Sequence, residues 1–323
     1  MYRYIIKRVL LVIPTLLGAA ALVFVLMRLI PGDVCVVRLG SGGNTLDPKA
    51  IALCHAELGM DRPVVIQFVD FVWGILRLDF GTSMWSGNAV TAEIWARLPI
   101  SLEIAILATV IAIAIAIPLG ALSALKQNTW IDVLVRIFAV GGIATPSFWL
   151  GIMSVLVVLN VTSAVFGKPW MPPIEYVPIW RDPVANLSMA FLPAVTVGYR
   201  YAAVSMRMTR SAMLEVMQED YIRTARAKGL AERAVVLRHG FRNALVPVIT
   251  VLGLDTGNYL TGSILTETIF GWPGLGRYVL TAIDKRDLPA IQGSILFMSV
   301  VFVVVNLVTD LLYAKADPRI AYD

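Results

Sequence analysis

Ile104-Ala105-Ile106-Leu107-Ala108-Thr109-Val110-Ile111-Ala112-Ile113-Ala114-Ile115-Ala116-Ile117-Pro118-Leu119-Gly120-Ala121-Leu122-Ser123-Ala124-Leu125 runs for 22 residues without a charged side chain. A helix crossing the hydrocarbon core needs roughly 20 apolar residues, so this run is a membrane span by length alone. Val9 to Met27, Ile137 to Leu159 and Leu288 to Thr309 qualify in the same way. Two further runs each carry one interior charge: Leu187 to Met206 contains Arg200, and Ala244 to Thr266 contains Asp255. The expected architecture is an all-α polytopic membrane protein with six transmembrane helices. Composition agrees. With 58% hydrophobic and 15% charged residues, and a mean hydropathy of +0.77, the chain has too little polar surface for a soluble globule. Alternation of apolar with polar residues is absent from the runs, which argues against a β-barrel, the other fold that satisfies every backbone group in lipid. Pro14, Pro118, Pro146 and Pro193 fall inside the spans and are expected to kink them.

Lys and Arg collect on the cytoplasmic side of a membrane protein, which sets the orientation. Arg3, Lys7 and Arg8 place the N-terminus inside. The loop after the fourth span holds Arg207, Arg210, Arg223, Arg226, Lys228, Arg233, Arg238 and Arg242 against Glu215, Glu219, Asp220 and Glu232, the strongest inside signal in the chain. An even number of spans then puts both termini in the cytoplasm. The expected division is an N-terminal transmembrane helix over 1–30, an extracytoplasmic segment over 31–100, a transmembrane core over 101–313 with a cytoplasmic loop at 207–243, and a cytoplasmic tail over 314–323. The basic N-terminus followed by an apolar run imitates a secretory signal, but the run continues to Met27, longer than such a signal requires, and is read as an uncleaved span. The net charge of +5 follows from these loops and calls for no nucleic acid.

Cys35 and Cys54 both fall in the outer segment, where an oxidising compartment favours a bridge between them; two packed thiols are the alternative. His55 and His239 are expected on opposite sides of the membrane, so no metal site is assigned. The chain has no phosphate-binding Gly-x-x-x-x-Gly-Lys-Ser/Thr loop, no His-Glu-x-x-His pair and no Gly-x-Ser-x-Gly elbow. It binds no cofactor by this reading. Arg200 and Asp255 are costly inside a bilayer and are expected to face the bundle or a watery path. Glu267, at a span edge, is read as an interfacial group, with a place beside them as a candidate path residue the alternative. The outer turn Phe270-Gly271-Trp272-Pro273-Gly274-Leu275-Gly276 suits an aromatic anchor at the membrane interface or a surface for an outer partner. Phe68, Phe71, Trp73 and Trp85 of the outer segment suit either a docking surface or a small local core.

The basic loop contains Glu219-Asp220-Tyr221-Ile222-Arg223-Thr224-Ala225-Arg226-Ala227-Lys228-Gly229. Ala225 and Ala227 favour a slim helix, Glu219 and Asp220 sit at its positive N-terminal end, and Lys228 followed by Gly229 suits its C-terminal end. Such a helix fits a cleft in a soluble partner. A solvated loop that merely fixes topology is the bland alternative.

Nine landmarks in order resemble the permease subunits of bacterial dipeptide and oligopeptide ATP-binding-cassette importers, over essentially the whole chain. They are Ile30-Pro31-Gly32-Asp33, Arg97-Leu98-Pro99-Ile100-Ser101-Leu102-Glu103, Thr145-Pro146-Ser147-Phe148-Trp149-Leu150-Gly151, Met208-Thr209-Arg210-Ser211, the loop stretch above, Arg242-Asn243-Ala244-Leu245-Val246-Pro247, Phe270 to Gly276, Arg286-Asp287-Leu288-Pro289, and Asp317-Pro318-Arg319-Ile320. The resemblance implies a type I importer permease fold in the inner membrane. It implies a second related permease subunit, two cytoplasmic ATPases carrying ATP and Mg, and an extracytoplasmic substrate-binding protein. Type I importers carry a Glu-Ala-Ala-x3-Gly-x9-Ile-x-Leu-Pro pattern whose short helix docks in the ATPase. Arg223-Thr224-Ala225 stands at the Glu-Ala-Ala position and Gly229 supplies the glycine, whereas Pro247 comes five residues later than the general spacing. The implied coupling residues are Glu219, Asp220, Tyr221, Arg223, Thr224, Ala225, Ala227, Lys228 and Gly229. The implied cargo is dipeptides or short oligopeptides; glutathione and nickel chelates are carried by the same class. Rival readings are an ion-coupled secondary transporter relaying through Arg200, Asp255 and Glu267, an intramembrane hydrolase, for which no nucleophile and base pair is evident, and a non-transporting receptor or scaffold.

Overall fold

The structure is a computed structural model that describes residues 2–29, 32–40, 47–173, 175–262 and 264–316. Its regular elements are helical. In chain order they are α1 (Tyr2–Leu29), α2 (Val34–Gly40), α3 (Pro48–Glu57), α4 (Val64–Leu76), α5 (Val90–Leu125), α6 (Trp130–Ala144), α7 (Ser147–Phe166), α8 (Pro183–Val216), α9 (Asp220–Ala227), α10 (Glu232–Ala234), a π-helical turn (Val235–Phe241), α11 (Arg242–Gly262), α12 (Ile264–Ile269), α13 (Leu275–Asp284) and α14 (Leu288–Ala316). Among the described residues four stretches are long and apolar enough to cross a membrane: Leu10–Leu29, Val90–Leu125, Ser147–Phe166 and Leu288–Thr309. The pair Glu232–Leu245 and Pro247–Gly253, bent by 43°, makes a fifth if counted as one span. The count of six is therefore not reached on length and hydropathy. The missing run, Leu187 to Met206, lies inside α8, where Arg200 and the polar residues around it dilute the apolar sequence.

The proline expectations divide. Pro14 and Pro193 sit inside α1 and α8, and Pro118 inside α5. Pro146 does more than kink its run. The stretch Ile137 to Leu159, expected as one span, is two helices, with Thr145 extended at ψ 124° and Pro146 at ψ 134°. Proline disfavours the helical region for the residue before it and cannot donate to the turn behind, so α6 stops and α7 starts afresh.

The chain divides into two compact units. One comprises the described residues up to Ser101 together with Pro273–Val303; the other comprises Leu102–Trp272 and the described residues from Val304. In the first unit Val90, Ile94, Leu275, Val279, Ala290 and Ile291 form the core. Asp287 anchors it: its buried carboxylate accepts from the Ser83 hydroxyl and from the backbone N–H groups of Met84 (3.1 Å) and Ala290 (3.3 Å), tying a loop to the start of α14. Leu275 N–H donates to Ser101 Oγ at 2.8 Å. Phe68 and Phe71 of α4 pack on Phe24 of α1, with ring centroids 5.1 and 5.9 Å away, so these two aromatics form a local core, whereas Trp73 and Trp85 stay exposed.

In the second unit α8 is the central helix, packed against α6, α7 and α11. Asp182 caps it, accepting from Val184 and Ala185 N–H at 3.0 Å, with Pro183 at the first helical position. Its buried residues include the small side chains Ala190, Ala194, Gly198, Ala202 and Ala203. Small residues let helix backbones approach closely where lipid offers no hydrophobic drive to associate. A Cβ on Gly198 would stand 2.9 Å from the Ala108 carbonyl oxygen of α5, and one on Gly142 would stand 2.6 Å from the Ala203 Cβ. Gly198→Val is expected to push α5 and α8 apart at a cost of about 3 kcal/mol, the upper end for overpacking, seen as a lower unfolding temperature in detergent.

Trp272 corrects the interface-anchor reading of the outer turn. It is buried, its ring meets Tyr176 edge-on at 5.3 Å, and its backbone N–H donates to the Glu267 carbonyl at 2.8 Å.

Candidate functional site

The loop after α8 folds into a short helix, α9, closed at its C-terminal end by backbone hydrogen bonds. Glu219 is the N-cap, and Asp220 lies in the first turn where the helix dipole favours an acid. At the other end Lys228 is the C-cap and Gly229 takes the left-handed conformation at φ +77°. Gly229 N–H donates to the Arg226 carbonyl at 2.9 Å and Leu230 N–H to the Ala225 carbonyl at 3.4 Å. That pair of bonds is a Schellman closure, whose left-handed residue is favoured as glycine and tolerated as asparagine.

α9 rests on its own platform. Ile222 and Ala225 are buried against Val235 of the π-helical turn and Met217 beyond the end of α8. Tyr221, Arg223, Thr224, Ala227 and Lys228 are exposed on the remaining surface. Asn243 of α11 donates to the Tyr221 hydroxyl at 2.7 Å, and Arg226 grips Glu232 by two bonds of 2.6 and 3.1 Å. The helix is therefore tied to α8, the π-helical turn and α11 at once, while one face stays open.

A second polar cluster lies in the same unit, and the sequence reading missed it. Asp132, fully buried near the start of α6, is held by Arg210 of α8 through two bonds of 2.8 and 3.0 Å, by the Ser123 hydroxyl at 2.6 Å and by Asn128 N–H at 3.1 Å. Arg136 reaches the same Oδ1 at 3.6 Å. The Arg210 hydrogen bond, with help from Ser123 and Asn128, outweighs burial and holds the Asp132 carboxyl well below the usual carboxylate range. The only sequence signal for this cluster is an acid and a base at the ends of two apolar stretches, separated by 78 residues.

The three candidate path residues separate. Arg200 is exposed on α8, Glu267 is fully buried in α12, and Asp255 belongs to α11 with its side chain outside the described residues. Glu103 accepts from the Tyr176 hydroxyl at 2.6 Å; burial and this carboxylate push the Tyr176 hydroxyl above its ordinary value.

In the first unit Cys35 and Cys54 form a disulfide joining α2 to α3, and His55 meets Asp33 at 2.9 Å beside it. Asp33, Cys35 and His55 bring potential ligand atoms within 4.8 Å of one another, but a bridged sulfur is no thiolate donor, and two donors fall short of a structural metal site. Replacing both cysteines by serine is expected to remove about 3 kcal/mol from this α2–α3 cap in the chain-entropy account. Limited proteolysis of residues 34–57 then accelerates while membrane insertion is unchanged.

Residues 116–322 match the family described as the binding-protein-dependent transport system inner membrane component, and residues 1–105 match its N-terminal membrane component. The chain belongs to this family. A protein of Brucella abortus (strain 2308) named for a peptide transport system permease is 41% identical over 319 residues, covering 99% of each chain. The dipeptide transport system permease protein DppB of Escherichia coli (strain K12) is 40% identical over 342 residues, covering 100% of this chain and 99% of its own. A solved amino acid ABC transporter with histidines is 16% identical with a TM-score of 0.47, covering 71% of this chain and 95% of its own. As an inner membrane component the chain is multi-pass and works within a transport system of several components. All of the implied coupling residues lie on or beside the capped α9 of this family member.

Proposed function

We propose that this family member is the permease subunit of an ATP-driven importer that moves dipeptides or short oligopeptides across the bacterial inner membrane. The observation that carries this is full-length identity of about 40% to permeases named for peptide and dipeptide transport. A second, related permease completes the path, two cytoplasmic ATPases dock on the pair, and an extracytoplasmic binding protein delivers cargo. The chain itself is non-catalytic: ATP and Mg reside on the ATPases, in keeping with the lack of a phosphate-binding loop in this sequence. Counting α8 as a crossing helix alongside the bent pair brings the spans to six, with both termini and the 207–243 loop in the cytoplasm.

The open face of α9 is the element the ATPase holds. ATP binding draws the two ATPases together, displaces α9, and through Ile222 and Ala225 pushes on the π-helical turn and the end of α8. Hydrolysis resets the arrangement. Such coupling requires partner contacts that differ between two states. Arg200, Asp255 and Glu267 remain the proposed path residues.

Affinity purification of the tagged chain from native membranes tests the assignment. Co-elution of a second permease and two cassette ATPases is expected. Recovery of the chain alone, active in liposomes on an ion gradient without ATP, would establish a secondary transporter instead.

A further inference from the structure

A groove of about 120 Å³ runs between α6 and α8 beside the Asp132 cluster. Its walls are aliphatic: Val135, Ala139, Val140 and Met206. Arg136, Arg207 and Arg210 line it as well, their stems adding to the apolar wall. Arg136 and Arg210 both address Oδ1 of Asp132, at 3.6 and 2.8 Å, so one carboxylate draws two cations within a few ångströms of each other. Arg207 is exposed and has no acidic partner among the described residues. Three positive charges against one negative leave an excess of two among the side chains beside this apolar groove.

The surroundings say what kind of anion this excess suits. The groove opens beside an aliphatic flank of α6, where Val133, Leu134, Ile137 and Val140 are all exposed. Trp130, 72% exposed at the first position of α6, is the residue type that sits at the level of lipid headgroups. Basic pockets between membrane helices bind anionic headgroups, and long Arg side chains reach toward the interface while their stems stay apolar. A small inorganic anion would use the charges and leave the aliphatic walls without a purpose.

We infer that the α6–α8 groove is a binding site for one anionic phospholipid, with its phosphodiester held by Arg136 and Arg207 and an acyl chain along Val135, Ala139 and Val140. Arg210, committed to Asp132, sets the position of Arg136 through the shared carboxylate. The site depends on membrane residence and on no particular cargo, so it stands or falls separately from the peptide assignment.

Native mass spectrometry of the detergent-purified transporter with its partners tests this, using phosphatidylglycerol and phosphatidylcholine of identical chains in equal amounts. The wild-type complex is expected to retain one phosphatidylglycerol in preference to phosphatidylcholine. Each basic side chain near an anionic lipid is worth about fivefold, so Arg136→Gln with Arg207→Gln should weaken retention by about thirtyfold. Arg136→Lys with Arg207→Lys should keep most of it, and Val140→Trp, which fills the groove and leaves the charges, should lose it. Both glutamine substitutions leave the Asp132–Arg210 pair intact, and co-elution of the partners reports assembly. Equal retention of the two lipids by the wild-type complex would overturn the proposal. So would unchanged retention by the glutamine variant, or displacement of the lipid by millimolar inorganic phosphate.

Discussion

Replacing Gly229 with proline is expected to abolish ATP-driven uptake while leaving the chain in the membrane. Gly229 closes α9 at φ +77° and donates its N–H to the Arg226 carbonyl. Proline holds φ near −65° and has no N–H, so both features go together and the chain leaves the helix in another direction. A local cost of about 3 kcal/mol lowers the population of the docked arrangement by about a hundredfold. None of the apolar spans is touched, so the amount of protein in the membrane should not change. Gly229→Asn is the matched control, because asparagine tolerates the left-handed conformation and keeps its N–H; it should retain most uptake. The measurements are labelled dipeptide uptake in vesicles, ATPase turnover of the assembled complex, and immunodetection in the membrane fraction. Normal uptake by the proline variant would remove α9 from the coupling role.

Asp132→Ala is expected to cost about 3–5 kcal/mol, because it strands the Arg210 guanidinium, 19% exposed, in a site built around a carboxylate. The loss should appear as a sharply lower unfolding temperature in detergent. Adding Arg210→Met should recover much of it, since replacing both members of a buried pair by apolar groups removes the stranded charge. The same pair sets a pH dependence. The folded value of Asp132 is depressed below its unfolded value, so its stabilisation is fully present above the ordinary carboxylate range and is lost only as pH falls toward the folded value. From pH 5 to 8 this pair should therefore contribute a flat stability profile, and a wild-type loss attributable to it should appear only in stronger acid.

The membrane-length runs of α1, α5 and α14 are legible because each is continuous and local. The α9 helix is legible for the same reason: its cap, its alanines and its closing glycine lie within eleven consecutive residues. Pro146 is harder. A proline inside an apolar run is compatible with a kink or with a full break, and only the extended backbone of Thr145 and Pro146 decides for the break. Trp272 misleads for a different reason. A tryptophan in a Gly- and Pro-rich turn fits a membrane anchor, but Tyr176, distant in sequence, supplies an aromatic partner that buries it. The Asp132 cluster is illegible in one chain because it is built from the ends of three helices. Ser123, Asp132 and Arg210 show no common spacing until α5, α6 and α8 are in place.

The measurement that bears most directly on the central claim is dipeptide uptake by proteoliposomes. They would hold this chain with its partner permease, ATPases and binding protein, and ATP would be supplied on the ATPase side with no ion gradient. ATP-dependent accumulation that disappears with Gly229→Pro is the predicted result. Accumulation that proceeds without ATP, or that ignores the state of α9, would contradict the account.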